Sequence, residues 1–311
     1  MSLAGRHIVV TGAGGFVGGL LVDRLLAEPA FAGARITVND LRLGDYPARV
    51  RMVAGDLAEP AVRANLLEGG CALLYHIGGV LGGAAEADPA LARRVNVDAT
   101  LALLEAVRDD TDPPRVVFAS SVAVFSPPWP AHIDDDTRLN PTMIYGAQKA
   151  MAEIAVEQMS ARRWIDGLAL RLPGIVVKPG ADARMKSAFL NRLFEVFSAG
   201  DDLTLPVSAD GTTWLLSAPA CIDALIHAGT LAPERIGARR ALNLPCQTVR
   251  FADLVRALHA RWPNSRTTVS YAPDPALEAQ FGRQPPLMTA LANSLGFHHD
   301  GDVTTLVARA L

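Results

Sequence analysis

The sequence predicts an α/β protein built on a doubly wound parallel sheet, with a smaller C-terminal lobe from residue 172 onward. Three observations carry this. Short β-branched apolar runs alternate with longer helix-period segments through the first half, a rhythm that makes βαβ units and a sheet covered on both faces. A glycine-rich turn joins the first apolar run to the first helical segment. After Arg171 the rhythm breaks, and prolines recur at 173, 179, 206 and 219.

The elements follow in order. Residues 8–11, Ile-Val-Val-Thr, form a buried strand, and residues 18–26 an amphipathic helix. Further strands are expected at 36–39, 51–53, 72–75, 115–119 and 168–171, with long helices at 90–108 and 143–163. Right-handed crossovers between such strands leave a doubly wound sheet. The chain thus divides into a first domain, 1–171, and a smaller lobe, 172–311, interleaved with elements that return to the main sheet. In that lobe 203–207 and 214–217 read as strands, 220–231 and 251–260 as helices, and the Pro-rich stretch 274–286 as loop.

Composition narrows the class. The chain has 311 residues, half of them apolar, enough for a large core. A net charge of −3 and no cluster of Lys and Arg exclude a nucleic-acid surface. Cys71, Cys221 and Cys246 are odd in number and lack ligand spacing, so neither a disulfide framework nor a zinc site is expected. A reducing, cytoplasmic setting fits. The first residues do not read as a signal peptide, and no stretch reaches transmembrane length free of charges or glycine breaks.

The turn Thr11-Gly12-Ala13-Gly14-Gly15-Phe16-Val17-Gly18 has the form of a dinucleotide loop. Gly12 permits the tight turn, Gly15 lets backbone approach a pyrophosphate, and Gly18 lets helix and strand pack closely. The helix N-terminus adds free N–H groups and partial positive charge. Phe16, Val17 and Gly18 open that helix. Asp40, followed by Leu41, ends the second strand 22 residues beyond Gly18. An acid there hydrogen-bonds the ribose hydroxyls of NAD and repels the 2′-phosphate of NADP. Arg42 could meet a 2′-phosphate, and Asp40 could instead cap the next segment. Asp56, in Gly-Asp-Leu with Leu57, could accept from an adenine amino group or cap the following helix.

Tyr145 and Lys149 stand one helical turn apart in Tyr-Gly-Ala-Gln-Lys, downstream of Ser120-Ser121. A Tyr hydroxyl near pKa 10 is a poor base at neutral pH. A lysine ammonium on the same helix face lowers that pKa and can reach a nicotinamide ribose. A serine opposite can hold the substrate oxygen in line. The trio is then a proton-transfer apparatus for hydride chemistry at a hydroxyl-bearing carbon.

Together these motifs, with Asn96-Val97-Asp98-Ala99-Thr100, resemble the extended short-chain dehydrogenase/reductases, the NAD-dependent epimerase/dehydratase family, along nearly the whole chain. The resemblance implies a Rossmann-type fold, with Ser121, Tyr145 and Lys149 catalytic. It implies NAD contacts from Asp40, Asp56, Leu57, Gly78 and Asn96, with Pro173 near the nicotinamide. The family's dehydratases place an acidic pair just after the catalytic hydroxyl residue, where this chain has Val122 and Ala123. Elimination chemistry is therefore not expected. The stretches Arg171-Leu-Pro-Gly-Ile-Val-Val-Lys-Pro-Gly180, Leu205-Pro-Val-Ser208 and Leu242-Asn-Leu-Pro245 resemble the family's sugar-acid dehydrogenases, most closely those of the D-erythronate dehydrogenase type.

The expected reaction is therefore NAD-dependent oxidation of a secondary hydroxyl in a small sugar acid. An epimerase that returns the hydride to the other face is the alternative, and a non-catalytic NAD sensor a third reading. The relatives carry a basic residue just before Trp214-Leu215, where this chain has Thr212-Thr213. Lys178, Arg184, Lys186 and Arg192 are candidates to meet a substrate carboxylate, or else solvated surface charges. The two long helices could pair with those of a second copy in a homodimer, or pack as ordinary core.

Overall fold

The computed structural model describes residues 5–177 and 187–311. The chain folds as two compact units. The first comprises residues 1–124, 141–171 and 222–242, and the second 125–140, 172–221 and 243–311.

The first unit carries the doubly wound sheet the sequence predicts. Its strands are β1 (His7–Thr11), β2 (Arg35–Asp40), β3 (Val50–Ala54), β4 (Leu73–His76), β5 (Arg115–Ser121) and β6 (Asp166–Leu172). They lie in the order β6-β5-β4-β1-β2-β3, and the short strand Ala241–Asn243 borders β6 as the seventh. The pairs β1–β2, β1–β4, β2–β3 and β4–β5 are parallel. Ile8, Val9 and Val10 are wholly buried, as are Leu73, Leu74, Val116 and Val117. Burial on both faces is why these strands read as unbroken apolar runs.

The helices are α1 (Phe16–Ala27), α2 (Pro60–Leu66), α3 (Gly82–Ala87), α4 (Pro89–Arg93), α5 (Thr100–Val107) and α6 (Ile144–Ala161). The single helix expected at 90–108 is interrupted. A π turn, Arg94–Ala99, separates α4 from α5. An extra residue per turn leaves no mark in a period-3.6 pattern, and such turns cluster at functional sites. Helix α4 also begins earlier than expected, at Pro89, because the Asp88 side chain caps it by accepting from the Leu91 amide. On α6 the inner residues Ala152, Val156 and Met159 join a core with Val116, Phe118 and Ala169. Met151 and Ile154, on the outer side of α6, are 56% and 61% exposed.

The second unit holds β7 (Gly174–Val176), α7 (Ala188–Ala199), β8 (Leu203–Leu205) and β9 (Thr212–Ser217). Helix α8 (Ala218–Thr230) and strand β10 (Ala241–Asn243) lead from and back to this unit, followed by β11 (Gln247–Arg250), α9 (Phe251–Arg261) and β12 (Val269–Tyr271). A small sheet runs β11-β9-β7, antiparallel between β11 and β9 and parallel between β9 and β7. Its core gathers Leu190, Leu193, Phe194 and Phe197 of α7 with Leu215, Phe251, Leu254 and Leu258. The stretch 274–286, expected as loop, contains the helix α10 (Pro275–Phe281). Asp274 caps it through the amides of Ala276 and Leu277, and Pro275 sits where a helix tolerates proline.

Candidate active site

Three glycines of the turn, Gly12, Gly14 and Gly18, are packed against backbone without room for a side chain. Gly12 has φ +75°, and a Cβ there would lie 2.4 Å from the Gly78 amide nitrogen. A Cβ on Gly18 would lie 2.0 Å from the Gly12 carbonyl oxygen, which is the close helix–strand approach expected of it. Gly14, to which the motif assigns no role, is as constrained: its Cβ would meet the Arg42 carbonyl oxygen at 1.9 Å. Gly15 occupies the N-cap of α1, and no side chain caps that end. A bare cradle opening on a twelve-residue helix fits the diphosphate of a dinucleotide.

Asp40 stands at the end of β2 beside this cradle. Its Oδ2 accepts from the Gly14 amide at 3.0 Å and its Oδ1 from the Leu41 amide at 2.7 Å. Each carboxylate oxygen retains a lone pair for a ribose hydroxyl. Leu41 is 69% exposed, whereas Phe16, Val17 and Leu57 are half-buried. Asp56 does not cap α2, whose N-cap is Glu59. Its carboxylate accepts from the Ala58 amide at 2.8 Å and pairs with Arg94.

Behind the cradle, β4 runs into the loop 77–81. The π turn swings Asn96 onto that loop. Its Oδ1 accepts from the Val80 amide at 2.7 Å, and its Nδ2 donates to the Val80 carbonyl at 2.9 Å and to Gln148 Oε1 at 2.8 Å. His76 is buried between two hydroxyls, Thr11 Oγ1 at 2.6 Å and Thr100 Oγ1 at 2.9 Å. Burial, with the nearby Lys149 charge, pushes its imidazole down to about 3, so it stays neutral.

The proton-transfer trio assembles where β5 ends and α6 begins. Ser121 closes β5, and its Oγ accepts from the Ala123 amide at 3.1 Å while sharing a hydrogen bond with the Tyr145 hydroxyl. Val122 and Ala123 lie in a short 3₁₀ turn, Val122–Val124, directly beyond it. Lys149 Nζ lies 4.5 Å from the centre of the Phe118 ring and 5.6 Å from that of Tyr145. It has no hydrogen-bond or ion-pair partner among the described residues, which leaves its donors available. Burial pushes the Tyr145 hydroxyl up to about 12, with the Ser121 bond acting against it. Burial outweighs the lowering that the sequence assigns to Lys149, whose own ammonium burial brings down to about 8 against the pull of Glu153.

The sequence motifs do not single out Glu153. Its Oε1 accepts from the Ser120 hydroxyl at 2.5 Å, and its Oε2 from Arg171 Nη2 at 2.8 Å. All three residues are buried. A signal for it lies in the spacing: Tyr145, Lys149 and Glu153 recur every four residues along one face of α6.

In the second unit Pro173 is buried, and in the chain it joins β6 to β7. Lys178, Arg184 and Lys186 lie outside the described residues. Arg192 is exposed on α7 and sits 3.6 Å from both Glu195 and Asp201, the environment of a solvated surface charge. Thr213, at the position where a base was sought, is buried and bonded to Gln284 Oε1 at 3.2 Å. No group of metal-ligating side chains occurs among the described residues, and no described helix is long and apolar enough to cross a membrane.

Residues 8–215 match the profile of the NAD dependent epimerase/dehydratase family. The chain is 36% identical over 313 residues to a D-erythronate dehydrogenase of Cupriavidus necator, covering 97% of this chain and 96% of that protein. It is 31% identical over 246 residues to a D-erythronate dehydrogenase of Haemophilus influenzae, covering 76% of each. Among solved structures it resembles a nucleoside-diphosphate-sugar epimerase from Agrobacterium tumefaciens, with a TM-score of 0.90, 29% identity, and coverage of 99% of this chain and 94% of that one.

Proposed function

The chain belongs to the NAD dependent epimerase/dehydratase family, and from that premise we propose that it oxidises a secondary hydroxyl of a small sugar acid, D-erythronate or a close analogue, with Tyr145 as the general base. The observation that carries this is the identity to a D-erythronate dehydrogenase across 97% of the chain, over residues that include the trio. The protein is an NAD-dependent oxidoreductase.

NAD, when bound, supplies the acceptor for the hydride. The cradle of Gly12, Gly14, Gly15 and Gly18, opening on Phe16 and Val17 of α1, is proposed to hold its diphosphate, with Asp40 and Leu41 at the adenosine ribose and Asp56 and Leu57 at the adenine. Gly78 and Pro173 are proposed to face the nicotinamide half. Asn96 acts there through the loop it clasps. Ser121 orients the substrate hydroxyl toward the Tyr145 oxygen, and Tyr145 removes the hydroxyl proton as the carbon–hydrogen bond breaks. Lys149, with its Nζ donors available, binds the nicotinamide ribose and offsets the negative charge that develops on Tyr145. The positive charge of the oxidised nicotinamide ring adds to that offset, which brings a hydroxyl held at about 12 within reach of proton removal. Val122 and Ala123 offer no acid or base for elimination.

Lys178, Arg184 and Lys186 remain as partners for the substrate carboxylate. The outer residues Met151 and Ile154 of α6 support a homodimer with that helix at its interface, and three free cysteines support a reducing, cytoplasmic compartment.

The test is NADH formation with a panel of C4–C6 sugar acids. Net NADH with D-erythronate or a neighbour is the expected result. Tightly co-purifying NAD with turnover of a nucleotide sugar and no NADH would make the protein an epimerase. Saturable NAD binding with no turnover of any substrate would make it a sensor. Near-wild-type turnover by Tyr145→Phe would remove the mechanism.

A further inference from the structure

Glu153 occupies a place that core packing alone does not explain. A carboxylate 3% exposed is costly to bury, and here it draws a Ser hydroxyl and an Arg guanidinium into the core with it. The three residues come from three elements that meet at the trio. Ser120 precedes Ser121 on β5, Arg171 stands near the end of β6, and Glu153 itself follows Lys149 by one turn of α6. Arg171 grips the carboxylate through two nitrogens, Nε at 3.0 Å and Nη2 at 2.8 Å. Ser120 donates to the same Oε1 that receives Nε.

We propose that Glu153 is a positioning residue for the hydride-transfer site: its carboxylate ties the strand end that bears Ser121 to the helix that bears Tyr145 and Lys149, and it supplies the counter-charge for the Lys149 ammonium. This rests on the reading of Lys149 as a cofactor ligand.

The charged and titratable groups around Lys149 are few. Tyr145 and Glu153 flank it on α6. His76, from β4, is neutral. Arg171, from β6, is engaged by Glu153. Glu86, from α3, accepts from the Ile144 amide at the start of α6 at 2.7 Å. Glu153 alone among these acts to keep the ammonium charged, and even with that pull burial brings it down to about 8. Removing the negative charge leaves burial unopposed, so Lys149 gives up its proton at a lower pH. Ser120 and Arg171 work upstream of that effect. They hold the carboxylate in place and fix its direction, which matches their burial and their short hydrogen bonds.

The test is the pH dependence of NAD affinity, measured by titration calorimetry without substrate. In the wild-type protein the Kd for NAD should begin to rise above pH about 8, and Lys149→Met should abolish that inflection. In Glu153→Gln the inflection should move down by about one pH unit, the lower end for an opposite charge at this range. Glu153→Asp, which keeps the charge, should keep the wild-type inflection. A folded Glu153→Gln protein with the wild-type inflection would overturn the proposal. If Glu153→Gln does not fold, Ser120→Ala decides instead. It should lower kcat about fivefold with the KM for NAD unchanged, and unchanged kcat would overturn the proposal. A wild-type curve without the inflection, or one that persists in Lys149→Met, removes the underlying reading of Lys149 and this proposal with it.

Discussion

A Cβ on Gly146 would lie 2.0 Å from the Ala123 carbonyl oxygen. Helix α6 therefore meets the turn after β5 at a glycine, one residue from Tyr145 and two from Ser121. Ser121, which acts on the Tyr145 hydroxyl, lies on the strand side of that approach and Tyr145 on the helix side. Gly146→Ala should push helix and turn apart, lowering kcat at least tenfold and stability by about 1–3 kcal/mol. Steady-state kinetics and a urea melt check both, and a variant with wild-type kcat would show that the approach is not needed.

Tyr145→Phe removes only an oxygen. Loss of a general base costs about 10²–10⁴-fold in rate. The NAD affinity should stay within about threefold of wild type, because the variant keeps the ring beside Lys149. Turnover and cofactor binding measured on one preparation separate the two effects.

The depressed Lys149 pKa carries a stability cost with a defined sign. The unfolded lysine titrates near 10.4, the folded one at about 8. Between those values the unfolded chain binds the proton and the folded one does not, so stability rises with pH across that window. At neutral pH the whole cost, on the order of 3 kcal/mol, weighs on the folded state. Lys149→Met should raise neutral-pH stability of the NAD-free protein by about 2 kcal/mol while abolishing turnover, and should flatten its gain between pH 8 and 10. Urea melts at pH 7 and pH 10 measure both halves.

Asp40 is expected to choose the cofactor. Its carboxylate is fixed by the Gly14 and Leu41 amides, so it cannot swing away from a 2′-phosphate. Asp40→Ser should tighten NADP binding at least tenfold and weaken NAD binding by a similar factor, about 1.4 kcal/mol each way. Paired cofactor titrations decide it.

Arg192→Ala should leave the KM for a sugar acid within about twofold, since surface ion pairs of this kind contribute about 0–1 kcal/mol. Its partners Glu195 and Asp201 already account for its charge. A tenfold rise in KM would return Arg192 to the substrate.

Much of the fold and of the site is legible in the sequence. Strands buried on both faces, such as β1 and β5, must be apolar throughout, so their runs announce the sheet. The cradle is legible because only glycine tolerates a backbone 2.4 Å from a would-be Cβ. Other features leave weaker traces. The π turn at Arg94–Ala99 costs one residue of phase, which composition does not mark. Helix α10 is hidden by its prolines, although Asp274-Pro275 is a cap followed by a tolerated proline. Helix α7 buries Leu190, Leu193, Phe194 and Phe197 at helical spacing, yet it lies in a stretch whose broken rhythm reads as irregular. Glu153 escapes because a carboxylate on a helix usually faces water; its four-residue spacing from Lys149 hints at burial, and the partners Ser120 and Arg171, distant in sequence, establish it.

The three-way interleaving of the two units has a consequence for recombination. The second unit draws on residues 125–140, 172–221 and 243–311, while 222–242 belong to the first. A chimera spliced once at residue 172 would inherit α8 and β10 from the donor, and β10 borders the parental β6. It would also leave 125–140 behind. Transplanting the second unit intact takes three grafts, so new specificities in such a chain should arise by point substitution far more readily than by crossover.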